Sequence, residues 1–447
     1  MTADGTLVPL NRTEHLFWAC EGFMGSINQP YMMRFDGPVE EAAVRQALRE
    51  LFSAYPRARG VIEACGWSYQ LRILPDDHII DELLKDCFRV NREVDPTSRD
   101  ELMAAHNAMQ NEAISMERGL PLRARFFPHP TSPALILSLH HIIGDGRSHL
   151  QMMSAVMGRL NGTAIQPVPL DSPSMVPAVV PQSLAGWPAS IRGWWRNNKQ
   201  DKARKAGMRL MTLCSRQSPR FTTAAIDYHL LQCSSKDVRA LAKRMGTTVN
   251  NLLAAVIANQ FLARAKNDPK AMAAIRISYD LRRLFPEGRQ PQIGNFVSSF
   301  SVYARHQPTL SDQIRDMEAQ VKEVLARYER REYAVPLLLY ELLPIMGRRL
   351  YSMMVRKAKV GGKLQDVSCH FSNLGPADFL NPKDGTLRLK EVWLASLPVT
   401  PIVGLASMGD QQFLTVIYPQ DEVDRADVAA FLAGLEQELL SLIQAGG

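Results

Sequence analysis

The residues best suited to chemistry in this 447-residue chain are two adjacent histidines, His140 and His141, followed by Asp145 and Gly146 in the string HHIIGDG. The apolar run LILSL precedes them, and helical spacing of apolar residues begins at Arg147. A neutral imidazole can accept a proton from a hydroxyl or amine as that group attacks a carbonyl carbon, and such general-base help contributes about 10²–10⁴-fold to a rate. Adjacent residues in an extended segment point to opposite sides, so one histidine can face a cleft while the other faces the interior.

Three other interpretations of this string remain open. The pair could bind a metal ion, but histidines adjacent on a strand cannot easily reach one ion, and no further ligand stands at a suitable spacing, so we expect no metal. The pair could be ordinary core or surface histidines, or the GDG segment could be only a tight turn, which Gly144 and Gly146 would permit. Asp145 could orient a histidine ring, as in a catalytic triad, or anchor the loop.

A covalent acyl-enzyme and a redox cofactor are not expected. The nearest match to a nucleophile elbow, GLASMG at 404–409, has the wrong spacing, and no phosphate-binding or dinucleotide glycine motif is present. The six cysteines are scattered without a CxxC pair, which is typical of free thiols in a reducing compartment. With no signal-peptide pattern at the start, a cytoplasmic location is expected.

The elements around the histidines alternate between strand and helix patterns. Apolar periodicity predicts strands at 31–35, 123–127, 134–139, 224–232, 275–279, 296–303, 367–372, 392–397 and 413–418, and helices at 38–52, 147–157, 234–245, 248–261, 310–328 and 428–443. Prolines punctuate residues 161–188, which indicates a linker. We therefore expect an N-terminal lobe at 1–160, a crossover at 161–220 and a second lobe at 221–447, with the ligand site between the lobes.

The charge balance narrows the choice of partners. The net charge is +7 and the pI is about 9.1, which favours phosphates, nucleotides, an acidic protein or anionic lipid. Nucleic acid is not expected, because zinc-finger, recognition-helix and RNA-binding patterns are missing. The basic segment 187–205 contains Trp187, Trp194 and Trp195. It could lie on a membrane surface, although packing of its tryptophans on the protein body is the favoured interpretation.

The string HHIIGDG resembles the HHxxxDG motif of the thioester-dependent acyltransferase superfamily. That group includes nonribosomal-peptide condensation domains, polyketide-associated acyltransferases, alcohol acetyltransferases and bacterial wax ester synthases. Further segments resemble the family in the same order along nearly the whole chain: PLNRTE at 9–14, YPRAR at 55–59, TVNNLL at 248–253, SYDLR at 278–282, IGNF at 293–296 and FSNLG at 371–375. Asn251 stands where wax ester synthases often have Asp, so the match to that subgroup is imperfect.

The resemblance implies an α/β fold of two chloramphenicol-acetyltransferase-like lobes in a V-shaped pseudo-dimer, with the motif at the centre of a tunnel. It implies that His141 is the general base, that His140 is structural, and that Asp145 pairs with Arg282 to hold the loop. Gly146 would serve backbone geometry, and a nearby backbone N–H could stabilise the developing oxyanion. Tunnel lining is one role for Asn295, Ser372 and Asn373, and strand-end hydrogen bonding is the other.

The function implied is transfer of an acyl group from a thioester donor to a hydroxyl acceptor, in secondary metabolite or lipid biosynthesis. The donor would be acyl-CoA or the phosphopantetheine of an acyl carrier protein, with no other cofactor. One alternative is a standalone condensation-type enzyme that forms an amide or ester from a carrier-bound acyl chain. Another is a non-catalytic protein that binds a carrier or lipid. A monomer is expected, and peripheral membrane contact with lipid acceptors is a further possibility.

Overall fold

The computed structural model describes residues 5–21, 23–25, 27–66, 68–170, 174–221, 223–266, 268–342 and 347–445. Residues 171–173 of the predicted proline-rich linker, including Pro173, lie outside the described residues. Within the described part, fifteen strands and thirteen α-helices alternate along the chain. None of these helices is both long and apolar enough to cross a membrane.

The strands are short and follow one another in the order β1 Leu7–Pro9, β2 Asn28–Asp36, β3 Gly60–Cys65, β4 Ser68–Ile73, β5 Phe88–Val90, β6 Leu122–Phe127, β7 Ala134–His140, β8 Arg209–Leu210, β9 Ala224–Leu231, β10 Ala271–Asp280, β11 Val297–Ala304, β12 Cys369–Pro376, β13 Arg388–Leu394, β14 Ile402–Met408 and β15 Gln411–Pro419. All nine predicted strands lie on observed ones. No prediction covers β1, β3, β4, β5, β8 or β14.

The helices are α1 Arg12–Cys20, α2 Glu41–Ala54, α3 His78–Cys87, α4 Arg99–Asn111, α5 Gly146–Leu160, α6 Val176–Val179, α7 Trp187–Lys205, α8 Ser235–Arg244, α9 Val249–Ala263, α10 Leu310–Glu329, α11 Ala334–Leu342, α12 Gly347–Val360 and α13 Arg425–Gln444. Their starts follow from capping side chains, which accept hydrogen bonds from otherwise unpaired N–H groups. Asp145 caps α5 through the N–H of Ser148, and Thr248 caps α9 through the N–H of Asn251.

Two large sheets organise these elements into two α/β lobes. The first sheet has the order β13-β2-β7-β6-β5, and the second has the order β11-β10-β12-β14-β15-β9, with β8 beside β10. A small third sheet, β1-β4-β3, joins the first lobe. The apolar residues form two large cores, and the core of the first lobe also includes Ile226, Met408 and Phe413 from the second sheet. Strand β7 is buried along its whole length, as expected for a central strand covered on both faces.

Strand β13 crosses from the second half of the chain into the first lobe. It pairs antiparallel with β2, so that Leu394 lies opposite Tyr31. The predicted boundary, which assigns 221–447 to the second lobe, does not anticipate this exchange. It ties the lobes together, because residues on both sides of β13 return to the second sheet.

The basic segment is helix α7, as its composition suggests, but its three tryptophans differ in environment. Trp187 and Trp194 are half-buried, while Trp195 is exposed. Packing on the protein body therefore accounts for two of them and leaves the third facing solvent.

Candidate active site

His141 lies directly after β7, where the first lobe meets the second. Its Nδ1 is 3.0 Å from the carbonyl oxygen of Gly144. A carbonyl oxygen only accepts hydrogen bonds, so Nδ1 carries the proton and Nε2 keeps its lone pair. The amide of Asn295 is 2.9 Å from Nδ1 and donates to the His141 carbonyl oxygen at 2.8 Å. The Gly144 contact sets the tautomer, and the Asn295 bond to the carbonyl oxygen holds the peptide that carries the ring.

The lone pair of His141 Nε2 points toward the amide of Gln29, whose Nε2 is 2.7 Å away. Gln29 lies on β2, and its own Oε1 is buried without a hydrogen-bond partner among the described residues. The ring of Phe17, on α1, lies 4.4 Å from the His141 ring. An incoming hydroxyl would therefore meet a basic nitrogen flanked by one aromatic face and one unpaired amide oxygen.

The environment keeps the imidazole neutral. Burial lowers the pKa of His141 to about 4, more than the Gly144 carbonyl and the Asp145 carboxylate raise it. The residue is buried, with 9% of its surface exposed. At neutral pH the ring can accept a proton but does not already hold a second one.

His140 faces the opposite side of the strand and is fully buried. Its Nδ1 accepts the N–H of Ile142 at 3.2 Å, and its Nε2 lies 3.2 Å from Glu21 Oε2. The same carboxylate oxygen accepts the N–H of Ile27. Both ring nitrogens of His140 are thus engaged in holding the surrounding loops.

Asp145 pairs with Arg282 across the two lobes. The distance from Arg282 Nη1 to Asp145 Oδ2 is 2.7 Å, and both side chains are buried. Burial alone would raise the pKa of Asp145, but the Arg282 guanidinium and the N–H donors around the carboxylate hold it below its ordinary value. Arg282 also donates to Ser148 Oγ and the Gly294 carbonyl oxygen, at 3.0 and 2.9 Å. The carboxylate is therefore an ionised anchor of the loop.

The two glycines of the turn differ in the space that is available for a side chain. A Cβ at Gly144 would stand 2.6 Å from Ser148 Cβ, which is too close, whereas a Cβ at Gly146 would meet only the hydroxyl of Tyr31 at 3.4 Å. Neither residue has a positive φ. Close packing therefore restricts Gly144 to glycine, while Gly146 is the first residue of α5 and its expected role in backbone geometry stays a prediction.

A second buried ion pair, between Glu14 and Arg57, holds the loop that follows His141. Arg57 Nη2 lies 2.5 Å from Glu14 Oε1, and the same guanidinium donates to the carbonyl oxygens of Ile142 and Ile143. Burial raises the pKa of Glu14 despite the nearby arginine. Glu14 also accepts the N–H of Asn295 at 3.3 Å. The sequence segments 9–14, 55–59 and 293–296, which are far apart in the chain, thus converge on the turn after His141.

The three residues proposed to line a tunnel lie in different places. Asn295 is completely buried and stands behind the imidazole, which favours a positioning role over tunnel lining. Asn373 bonds to Asn250 Oδ1 at 2.7 Å and to the N–H of Gly375, which is strand-end hydrogen bonding. Ser372 is half-buried on β12. It shares a strand face with His370, two residues before it.

His370 was not singled out from the sequence. Its Nε2 is 2.8 Å from Ser278 Oγ. Burial, then the charge of Arg276 and that of a protonated His141, lower its pKa to about 4. His370 lies on β12 of the second sheet, opposite Ile402 of β14. A lone histidine in the string SCHFSN carries no spacing signal, so only the folded structure reveals it.

The described residues were also compared with the ligand sets that bind metal ions. Among the described residues no group of three or more His, Cys, Asp or Glu side chains could hold a metal ion. The six cysteines are unpaired, and of these only Cys65 is exposed.

Comparison with known proteins gives matches at the level of fold. The chain resembles the first condensation domain of the calcium-dependent antibiotic synthetase bound to a substrate analogue, with a TM-score of 0.71 and 12% identity over 98% of this chain and 97% of that one. The condensation-domain fold is therefore the fold of this chain. The predicted fold class, an α/β fold of two lobes, is confirmed.

Two further structures share the condensation-domain fold. Trichothecene 15-O-acetyltransferase TRI3 from Fusarium sporotrichioides matches with a TM-score of 0.66 and 11% identity over 98% of this chain and 95% of that one. Polyketide synthase associated protein 5 from Mycobacterium tuberculosis matches with a TM-score of 0.64 and 13% identity over 99% of this chain and the whole of that one.

At the level of sequence the relationships are distant. No family model matches the chain. Polyketide synthase PksN from Bacillus subtilis (strain 168) is 25% identical over 173 residues, which is 37% of this chain. The matched region spans only 3% of that much longer synthase.

Proposed function

We propose that this chain is an acyltransferase that moves an acyl group from a thioester donor to a hydroxyl acceptor, with His141 as the general base. The observation that carries this proposal is the fixed tautomer of His141. Because Nδ1–H is held by the Gly144 carbonyl oxygen, the lone pair on Nε2 is the one available for proton transfer. The pKa of about 4 keeps that lone pair free at neutral pH.

The reaction then follows in two steps, and the proton taken up in the first is returned in the second. The hydroxyl oxygen attacks the thioester carbonyl carbon while its proton moves to His141 Nε2. The tetrahedral intermediate collapses, the carbon–sulfur bond breaks, and the imidazolium returns the proton to the departing thiolate. Gln29 must release Nε2 for the hydroxyl to approach. Its unpaired Oε1 supports this role, since it can accept a hydrogen bond from an acceptor group beside the attacking oxygen.

Asp145 and Asn295 hold His141 in position, so one imidazole can act as the base without a catalytic triad. Asp145 is committed to Arg282, Ser148 and Phe296, so it orients the loop and does not act as the third member of a triad. Asn295 holds the peptide of His141. This arrangement supports direct transfer, because no side-chain nucleophile is placed to form an acyl-enzyme beside the base among the residues that contact His141.

The donor can be acyl-CoA or an acyl chain on a carrier-protein phosphopantetheine. The carrier-bound donor, with an ester or amide product, is the second candidate. The sequence match to a polyketide synthase and the fold match to condensation domains of peptide synthetases favour it. Both donors present the same thioester to His141, so the chemistry of the base is common to the two candidates.

The test is thiol release from each donor. Purified chain is mixed with acyl-CoA of short, medium and long chain length, or with the same acyl groups on a carrier protein, and with a panel of alcohols and amines. Thiol and product are then quantified. We expect acceptor-dependent thiol release from at least one donor, and a decrease of about 10²–10⁴-fold in the His141→Ala variant. His306→Ala, at an exposed histidine, is the matched control.

The outcomes separate the hypotheses. Product from the carrier-bound donor alone would exclude free acyl-CoA as substrate. Product that is undiminished in His141→Ala would remove the assignment of the base. If neither donor releases thiol while a carrier or lipid still binds, the chain is a non-catalytic binder with this fold.

A further inference from the structure

Helix α12 presents two different apolar faces. The inner face packs on α1, where Ser352 Oγ donates to the carbonyl oxygen of Ala19 at 2.6 Å, and Tyr351 and Val355 contact a small apolar cluster. Lys359, also on this side, forms a buried ion pair with Glu422. These contacts hold the helix against the protein, so the direction of its outer face is defined.

The outer face is apolar but has no protein partner among the described residues. Leu350, Met353 and Met354 are 39%, 59% and 47% exposed, and Val360 is 63% exposed. Positions 350, 353 and 354 follow the i, i+3, i+4 spacing, so they form one stripe opposite the inner face. Single exposed apolar residues are normal, whereas a contiguous stripe of them marks an interaction surface.

The charged side chains of helix α12 all have one sign. Helix α12 contains no Asp or Glu, and Arg349, Arg356 and Lys357 are exposed beside the stripe. The Arg356 guanidinium lies over the Phe23 ring at 5.0 Å, which positions it at the edge of the apolar face. An apolar stripe flanked by cations matches the headgroup boundary of an anionic bilayer, where the apolar side chains insert and the cations meet phosphates.

The position of the stripe relates it to the catalytic site. Helix α12 rests on α1, and α1 carries Phe17, whose ring contacts the His141 ring. Helix α7, which exposes Trp195 among several Lys and Arg residues, packs against α11, and α11 also contacts α1. Two basic helices with exposed apolar residues are therefore connected to α1, α12 directly and α7 through α11.

We propose that the outer face of α12 docks this chain on an anionic membrane surface. An acidic carrier protein is the competing occupant. It would satisfy the cations, but it would need its own apolar groove for Leu350, Met353 and Met354. The proposal does not depend on the chemistry of His141, and the His141→Ala variant should bind membranes like the wild type.

The test is flotation of the full chain with vesicles. Vesicles of phosphatidylcholine mixed with phosphatidylglycerol are compared with phosphatidylcholine alone, at low and high salt. We expect binding to the anionic vesicles that weakens at high salt. The double variant Met353→Ser/Met354→Ser should partition about tenfold less, because it removes most of the insertable apolar surface. Phe379→Ser, at an equally exposed apolar residue on another part of the surface, is the control and should bind normally.

A second variant tests whether the loss of binding comes from misfolding or from the altered surface. Arg356→Gln/Lys357→Gln keeps the apolar stripe and should lose the preference for anionic lipid. Failure of the wild type to float with anionic vesicles at low salt overturns the proposal, as does undiminished flotation of the double methionine variant. Binding of an acyl carrier protein that the methionine variant abolishes, without vesicle binding, would assign the face to a protein partner.

Discussion

Asp145 and Arg282, 137 positions apart in the sequence, form a buried ion pair at 2.7 Å that joins the loop after β7 to the turn after β10. The first residue belongs to one lobe and the second to the other. The Asp145 oxygens are occupied by Arg282, Phe296 and Ser148. The placement of His141, four residues earlier, therefore depends on contact between the lobes.

The first prediction concerns this ion pair. Arg282→Met leaves the Asp145 carboxylate buried without its partner, and we expect the free energy of unfolding to fall by about 3–5 kcal/mol. Arg276→Met is the matched control, because its partner Asp366 is largely exposed, and it should cost less than about 1 kcal/mol. Urea unfolding followed by fluorescence measures both. Equal stability of the two variants would show that the lobes do not rely on the pair.

The second prediction concerns His149, a fully buried residue on α5 with no hydrogen-bond partner for either ring nitrogen among the described residues. Burial lowers its pKa well below the ordinary value. We expect His149→Leu to raise the free energy of unfolding by about 1–3 kcal/mol, because an unsatisfied polar group is removed.

His106 provides the control for that substitution. It is equally buried, but its ring nitrogens bond to the Tyr228 hydroxyl at 2.5 Å and to the Pro30 carbonyl oxygen at 3.0 Å. His106→Leu should therefore destabilise the fold by a similar amount, about 1–3 kcal/mol. Thermal and urea unfolding measure both variants. A destabilised His149→Leu protein would mean that its nitrogens meet an ordered water or a ligand.

The third prediction is the pH dependence of catalysis. Burial lowers the pKa of His141 to about 4, so the protonated, inactive form accumulates only below that pH. The free-enzyme parameter kcat/KM should stay level from pH 8 to about pH 5 and fall on further acidification. A half-maximal value near pH 6.5, the ordinary histidine pKa, would contradict this.

Stability must be recorded over the same pH range, because buried histidines also affect folding. His106 has a folded-state pKa lowered to about 4, below its unfolded-state value of about 6.5. Between these two values the unfolded chain binds the extra proton, so stability is complete above about pH 6.5 and is lost as the pH falls. Activity measured only where the chain remains folded separates the two effects.

The fourth prediction compares the two glycines of the turn. Gly144→Ala places a Cβ 2.6 Å from Ser148 Cβ, and we expect a loss of about 1–3 kcal/mol in stability together with lower activity, since the Gly144 carbonyl oxygen holds His141 Nδ1. Gly146→Ala meets only the Tyr31 hydroxyl and should change stability by less than about 0.5 kcal/mol. The reverse order would show that Gly146 has the tighter environment.

Local patterns in the sequence predicted the elements that carry the base. The apolar run before His140 is strand β7, and the helical spacing after Gly146 is helix α5 with Asp145 as its cap. Strands and helices of the second half also lie where periodicity places them, usually with ends displaced by a few residues. Such features depend on neighbours within a few positions of the chain, which is why one sequence suffices.

The sequence by itself determined the α/β class, the two halves and the histidine string, because apolar spacing and turn residues record which faces of each element are buried. Only the tertiary structure decided that β13 completes the first sheet, that Gln29 lies at Nε2 of His141, and that the pair Glu14 with Arg57 supports the turn. A burial pattern identifies a buried face but does not identify the residue that covers it. Contacts between residues more than a hundred positions apart are set by how the sheets and lobes pack.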